Sequence, residues 1–122
     1  MTGKRVLVVE DQDLVRLVLV DLLRDEGFQV VEVSTGDAAA VLIDGPDGFD
    51  LVVTDIQMPG KLDGIAVGRH ARRRHVDIPI IYVTGQPESM ARVGWLGSRD
   101  AFVRKPYGLQ DMVAVVTRLL EP

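Results

Sequence analysis

Three short runs of largely β-branched residues, Val6–Val9, Leu51–Thr54 and Ile78–Val83, are apolar almost throughout. Unbroken apolar runs of that length mark strands buried on both faces of a parallel sheet, because neither side is left for water. Two weaker runs, Gln29–Val33 and Ala101–Val103, complete a predicted set of five. Between them the period changes. Leu14–Arg24 sets Val15, Val18, Leu19 and Leu22 on one helical face and is stopped at Gly27. Ala38–Ile43 reads as a short helix entered through Ser34, Thr35 and Asp37, with the turn Gly45-Pro46-Asp47-Gly48 behind it. Ile65–Arg74 is a third helix, opened by Asp63 and closed by the approach to Pro79, and Leu109, Met112, Val113, Val116 and Leu120 define the last. Between Thr84 and Ala101 the pattern weakens. Gly94 and Gly97 make a poor helix interior, each costing ~1 kcal/mol relative to alanine. A helix of about two turns, roughly Glu88 to Val93, is expected there, followed by loop and less rigid than the others.

Strand and helix thus alternate with short connections, which implies crossovers and a parallel sheet covered on both sides. The predicted fold class is α/β: a single (βα)5 flavodoxin-like, doubly wound domain over residues 1–122, sheet order 2-1-3-4-5, with a weak, short fourth helix. A chain of 122 residues buries roughly two thirds of its unfolded surface, so one core suffices. The absence of cysteine excludes disulfides and thiolate metal sites. His70 and His75 stand in a stretch crowded with arginines, which argues against a histidine metal site or catalytic dyad. The net charge of −4 gives no basic field, so no direct nucleic-acid partner is expected. The N-terminal apolar stretch is too short for a signal sequence, and no run approaches the ~20 residues of a membrane span. A soluble, cytoplasmic protein with no membrane partner is the expectation.

In such sheets ligands bind beyond the carboxyl ends of the strands. The first predicted strand ends in Glu10-Asp11, the third in Asp55 and the fourth in Thr84, and the fifth is followed by Lys105. Three carboxylates, a hydroxyl and an amine therefore converge on one edge. Clustered carboxylates stay ionised only beside a hard divalent cation or an ammonium group, and Mg²⁺ suits oxygen ligands that leave coordination sites to water or phosphate. Asp11 alone could be a helix cap. That explanation does not cover the joint occurrence at all four strand ends. Pro106 biases Lys105 toward extended geometry, which aims its side chain across the strand ends toward Asp55.

Val6–Asp11, Val53-Thr54-Asp55-Ile56-Gln57-Met58-Pro59-Gly60, Asp63-Gly64, Val83-Thr84-Gly85 and Phe102-Val103-Arg104-Lys105-Pro106-Tyr107 together resemble the receiver domain of two-component response regulators, of the single-domain or hybrid-kinase type. The resemblance covers essentially the whole chain. It implies that Asp55 accepts a phosphoryl group from a phosphohistidine on a histidine kinase or histidine phosphotransfer protein. It implies that Glu10, Asp11, Asp55 and the backbone carbonyl of Gln57 hold Mg²⁺, that Lys105 and Thr84 bind phosphoryl oxygens, and that Phe102 follows Thr84 as a switch aromatic. Gln57 and Gln86 take the positions that tune phosphoryl lifetime. Output would pass through the surface of the fourth helix, fifth strand and fifth helix, to a protein partner or a second copy, without turnover of a substrate. The loop Pro59-Gly60-Lys61-Leu62-Asp63-Gly64 has one residue more than the usual family pattern.

Other features are read locally. Leu14 and Leu17 lie beside the expected packed stripe of the first helix, as ordinary surface leucines or as a docking patch for the phosphoryl donor. Arg69, Arg72, Arg73 and Arg74 read as a solvated helix face. Trp95 and Leu96 are expected to be partly exposed. The chain ends directly after the last helix, so output is expected through protein contacts, dimerisation or a separate domain. Two rival functions remain. Asp11-Gln12-Asp13-Leu14-Val15 superficially matches the nucleophile motif of haloacid-dehalogenase phosphatases, with Asp11 as nucleophile, although Ile81–Gln86 lacks the later acidic residues such enzymes need. The other rival is a degenerate receiver that acts only as a binding module.

Overall fold

A computed structural model describes residues 3–94 and 96–121; the expectation for Trp95 falls outside them. Five strands alternate with helices: β1 Arg5–Val9, α1 Asp13–Asp25, β2 Gln29–Val33, α2 Gly36–Asp44, β3 Leu51–Asp55, α3 Gly64–Arg74, β4 Ile80–Thr84, α4 Met90–Val93, β5 Asp100–Arg104 and α5 Leu109–Leu120, with a 3₁₀ turn, Pro87–Ser89, leading into α4. All pairings are parallel and the order is β2-β1-β3-β4-β5, as the sequence predicts.

Alternation within the strands divides the core into two layers. Val6 and Val8 pack with Leu19, Val20, Leu23, Met112 and Val116 under α1 and α5. Leu7 and Val9 face the other way, onto Ala39, Ile43, Ile65, Val67 and Ala71 of α2 and α3. β3 and β4 are buried along their whole length, consistent with their apolar runs.

Helix boundaries follow local chemistry. Thr35 caps α2, its side chain accepting from the Ala38 N–H at 3.1 Å, and Asp63 caps α3 by accepting from Ala66 at 2.9 Å. Thr35→Ala is expected to cost about 1 kcal/mol in urea unfolding, with no change in the slope of the transition. Gly27 adopts φ +98°, the left-handed turn that ends α1.

Three readings need correction. The fourth strand begins at Ile80, not Ile78, because Pro79 has no N–H to give to the ladder; its carbonyl still accepts from Val52 at 3.1 Å. The buried stripe of α1 is Leu19, Val20 and Leu23, whereas Val18 is exposed and Val15 and Leu22 only half-buried. Arg16 occupies the next position along that stripe and donates to the Glu10 carbonyl and the Glu32 carboxylate, at 2.8 and 3.1 Å. A cation on the sheet-facing side rotates the face away from where hydrophobicity alone puts it. Arg72 leaves the solvated face as well: half-buried, it donates to the Ile78 carbonyl and to Asp100, tying α3 to the start of β5.

The segment of residues 59–64 that leads from β3 into α3 absorbs its extra residue by lying on the start of α2. The Leu62 N–H donates to Asp37 at 3.1 Å, and a Cβ on Gly36 would fall 2.1 Å from the Leu62 carbonyl oxygen. Among the described residues, no helix is long and apolar enough to cross a membrane.

Candidate functional site

The ends of β1, β3, β4 and β5 bring five side chains to one edge. Asp55, the last residue of β3, is buried at 6% exposure, and Glu10 beside it at 4%. Lys105 reaches both: its Nζ lies 2.8 Å from Glu10 Oε1 and 3.1 Å from Asp55 Oδ2. The backbone fixes that reach, because the Lys105 N–H donates to the Thr84 carbonyl at 2.9 Å just past the β4–β5 pairing. Glu10 is held from its other oxygen by the Gln12 N–H at 3.1 Å. Asp11 is half-buried and does not cap α1, whose N-cap is Gln12 without a side-chain bond.

Glu10, Asp11 and Asp55 each offer a carboxylate oxygen within 4.8 Å of the others. Burial pushes the Asp55 carboxyl up to about 6, against the pull of the Lys105 hydrogen bond and with further upward push from Glu10 and Asp11. Burial works to lower the Lys105 ammonium, but its hydrogen bonds to Glu10 and Asp55 outweigh that and raise it. One ammonium thus faces three carboxylates. Such a set of hard oxygen donors, short of positive charge, fits a small divalent cation such as Mg²⁺.

Thr84, almost fully buried, makes its hydrogen bonds to residues other than Asp55. Its hydroxyl lies 2.8 Å from Gln57 Oε1 and 3.1 Å from the Gln86 carbonyl, and it accepts from the Gln86 N–H at 2.9 Å. Gln57 Nε2 in turn donates to Ser89 Oγ at 2.5 Å. Nothing in the sequence singles out Ser89; the link depends on the 3₁₀ turn folding back over β3. Gln86 is exposed. Phe102 is half-buried, its ring 5.7 Å from that of Tyr82. It shares a cavity of about 130 Å³ with Thr84, Pro87, Met90, Val103 and Arg104.

Beside Lys105 opens an apolar groove of about 520 Å³, walled by Leu14, Val15 and Val18 of α1 and by Pro106, Tyr107 and Leu109. Leu14 is 72% exposed on its wall, whereas Leu17, 54% exposed, lies outside it. Asp13, the second aspartate of the phosphatase-like motif, points to solvent and pairs with Arg16 at 2.8 Å, so that motif contributes one carboxylate to the cluster and not two. The histidines also differ from expectation: the fold sets Asp44 of α2 2.8 Å from His70 Nε2, a neighbour hidden by 26 residues of sequence. Leu96 is half-buried, as expected.

The profile of the response regulator receiver domain matches residues 6–117. The transcriptional regulatory protein TcrA of Mycobacterium tuberculosis is 35% identical over 115 residues, 93% of this chain and 45% of TcrA, so the chain spans less than half of that relative. A response regulator receiver protein from Sinorhizobium medicae superposes with a TM-score of 0.90 at 29% identity, covering 97% of this chain and 94% of that one. The response regulator TrrA of Thermotoga maritima, solved in complex with Mg²⁺ and BeF, has a TM-score of 0.83 at 29% identity, covering 96% and 99% of the two chains.

Proposed function

This chain belongs to the response regulator receiver domain family of two-component systems, and from that premise we propose that it takes a phosphoryl group onto Asp55 from a phosphohistidine. The donor is a histidine kinase or histidine phosphotransfer protein in the cytoplasm, and residues 1–122 act as one receiver domain. The observation that carries this reading is the Lys105 ammonium set between Asp55 and Glu10 inside the three-carboxylate cluster.

A carboxyl with a pKa of about 6 is mostly ionised at pH 7 yet more basic than an ordinary aspartate, which suits a nucleophile. An Asp55 oxygen attacks phosphorus in line; the P–N bond of the phosphohistidine breaks, its electron pair stays on the imidazole nitrogen, and solvent supplies the proton. Lys105 shifts one contact from the Asp55 carboxylate to a phosphoryl oxygen, and Thr84 turns its hydroxyl onto another. Glu10, Asp11, Asp55 and the backbone carbonyl of Gln57 hold Mg²⁺, which when bound offsets phosphoryl-oxygen charge; the donor set fits it, and TrrA binds Mg²⁺ with BeF. The groove beside Lys105 receives an apolar helix of the donor, with Leu14 as a contact, and the exposed Leu17 extends the docking patch beyond the groove. Once Thr84 has moved, Phe102 turns into the neighbouring cavity, and the α4–β5–α5 surface changes for a partner or a second copy. Gln57 and Gln86 border the approach of hydrolytic water and set phosphoryl lifetime. The chain catalyses its own phosphorylation and slow dephosphorylation without turning over a substrate.

The test is exposure to acetyl phosphate and Mg²⁺, followed by mass-spectrometric mapping of the acid-labile group. Label on Asp55 is expected. Label on Asp11 with phosphate release would mean a phosphatase, and no label at all would mean an inert binding module.

A further inference from the structure

Thr84 has one hydroxyl proton, and the nearer of its two acceptors is Gln57 Oε1 at 2.8 Å, against 3.1 Å for the Gln86 carbonyl. One of its lone pairs is engaged by the Gln86 N–H, and its single proton is committed away from Asp55. The Gln57 amide is oriented by these contacts: its oxygen accepts from Thr84 and its nitrogen donates to Ser89. Ser89 is 4% exposed and closes the 3₁₀ turn from which α4 starts. α4 itself is a single turn, Met90–Val93, with no buried residue of its own. Its other ties are the exposed Arg92–Asp63 ion pair at 2.7 Å, of a kind worth little in water, an exposed bond from Arg69 to the Arg92 carbonyl at 3.3 Å, and the half-buried Val93 side chain. The Gln57–Ser89 bond is a half-buried polar tie between the turn that leads into α4 and the loop just past β3.

We infer that the Gln57 side chain is a latch, a positioning residue that holds the Thr84 hydroxyl and Ser89 together and keeps the start of α4 in its resting place until Asp55 is phosphorylated. The inference rests on the reading of Asp55 as phosphoacceptor. When Thr84 turns to a phosphoryl oxygen it gives up the Gln57 oxygen, the amide loses the contact that orients it, and its hold on Ser89 goes with it. The event at the strand end thereby reaches α4 by breaking two hydrogen bonds. This role differs from steering hydrolytic water, because Ser89 contributes to it from outside the three-carboxylate cluster.

Amide hydrogen exchange over residues 86–93 of the full chain tests this, without phosphate and with beryllofluoride plus Mg²⁺. In wild type, slow exchange without ligand and faster exchange with beryllofluoride are expected. Gln57→Met and Ser89→Ala are each expected to exchange about fivefold faster already without ligand, the factor one net hydrogen bond is worth. Beryllofluoride should then add little, while Ser89→Ala still takes label from acetyl phosphate on Asp55. If Gln57→Met fails to fold, Gln57→Asn, one methylene too short to bridge, is measured in its place. Variants that exchange like wild type without ligand, while wild type responds to beryllofluoride, overturn the latch. A wild type that neither responds to beryllofluoride nor takes label overturns the Asp55 reading, and faster ligand-free exchange in the variants still supports the Gln57–Ser89 tie.

Discussion

Asp55→Asn is expected to abolish phosphoryl uptake completely and, in the same molecule, to raise the melting temperature of the Mg²⁺-free protein at pH 7.5. The first effect follows because an amide oxygen is no nucleophile toward phosphorus under these conditions. The second follows from the sign of the pKa shift. Burial raises the folded carboxyl to about 6, above its ordinary value of 3.8, so the folded state holds the proton more tightly than the unfolded one. Stability contributed by this group is then present below the unfolded value and lost as pH rises through the folded one. Above about pH 7 the ionised carboxylate carries its full cost, and asparagine removes it. Lys105 keeps Glu10 as a partner at 2.8 Å, so the substitution does not strand a buried cation. A net gain of about 1–2 kcal/mol is expected, a shift of several degrees in a domain of this size. Scanning calorimetry of both proteins from pH 4 to pH 8 checks it: the difference should be small at pH 4, grow through pH 6 and level off. Saturating Mg²⁺ should narrow it at pH 7.5. Equal melting temperatures across the range would show that the cluster is not strained by its own charge.

Gly64→Ala is expected to lower stability by about 3 kcal/mol or more and to slow phosphoryl uptake at the same time. A Cβ there would lie 1.9 Å from the Asp55 carbonyl oxygen, 2.6 Å from its carbonyl carbon and 2.8 Å from Ile56 Cα, all backbone atoms that cannot swing aside. The same glycine donates its N–H to the Ile56 carbonyl at 2.9 Å, which staples the start of α3 to the strand end that carries Asp55. Making room for one methyl group therefore means moving α3 or moving Asp55. Gly48→Ala is the control, since nothing lies within 4 Å of its Cβ position. Urea unfolding and the rate of labelling by acetyl phosphate are the two measurements. Loss of stability without loss of labelling rate would place the strain in α3 alone.

The strand ends were legible because apolar runs make the polar residues at their carboxyl ends conspicuous: Asp55 and Thr84 close β3 and β4, and Glu10 follows directly after β1. Packing choices that depend on remote partners were not. Arg16 sits on the buried side of α1 because a carbonyl and a carboxylate await it there, and a hydrophobicity count reads that position as solvent. Arg72 turns inward because Asp100, 28 residues away, is brought to it. His70 gains Asp44 by the same route. The Gln57–Ser89 contact was invisible for a related reason: two neutral polar residues 32 positions apart carry no pattern until the turn between them is folded.

The bond between Lys105 and Asp55 joins residues 50 positions apart, and Glu10 comes from the other end of the chain. A site assembled from such separations is complete only when β1, β3, β4 and β5 are all in register. A chain in which β5 has not docked holds Asp55 without the Lys105 ammonium. On the reading of Asp55 as phosphoacceptor, competence for phosphoryl uptake thus doubles as a check that these four strands have assembled.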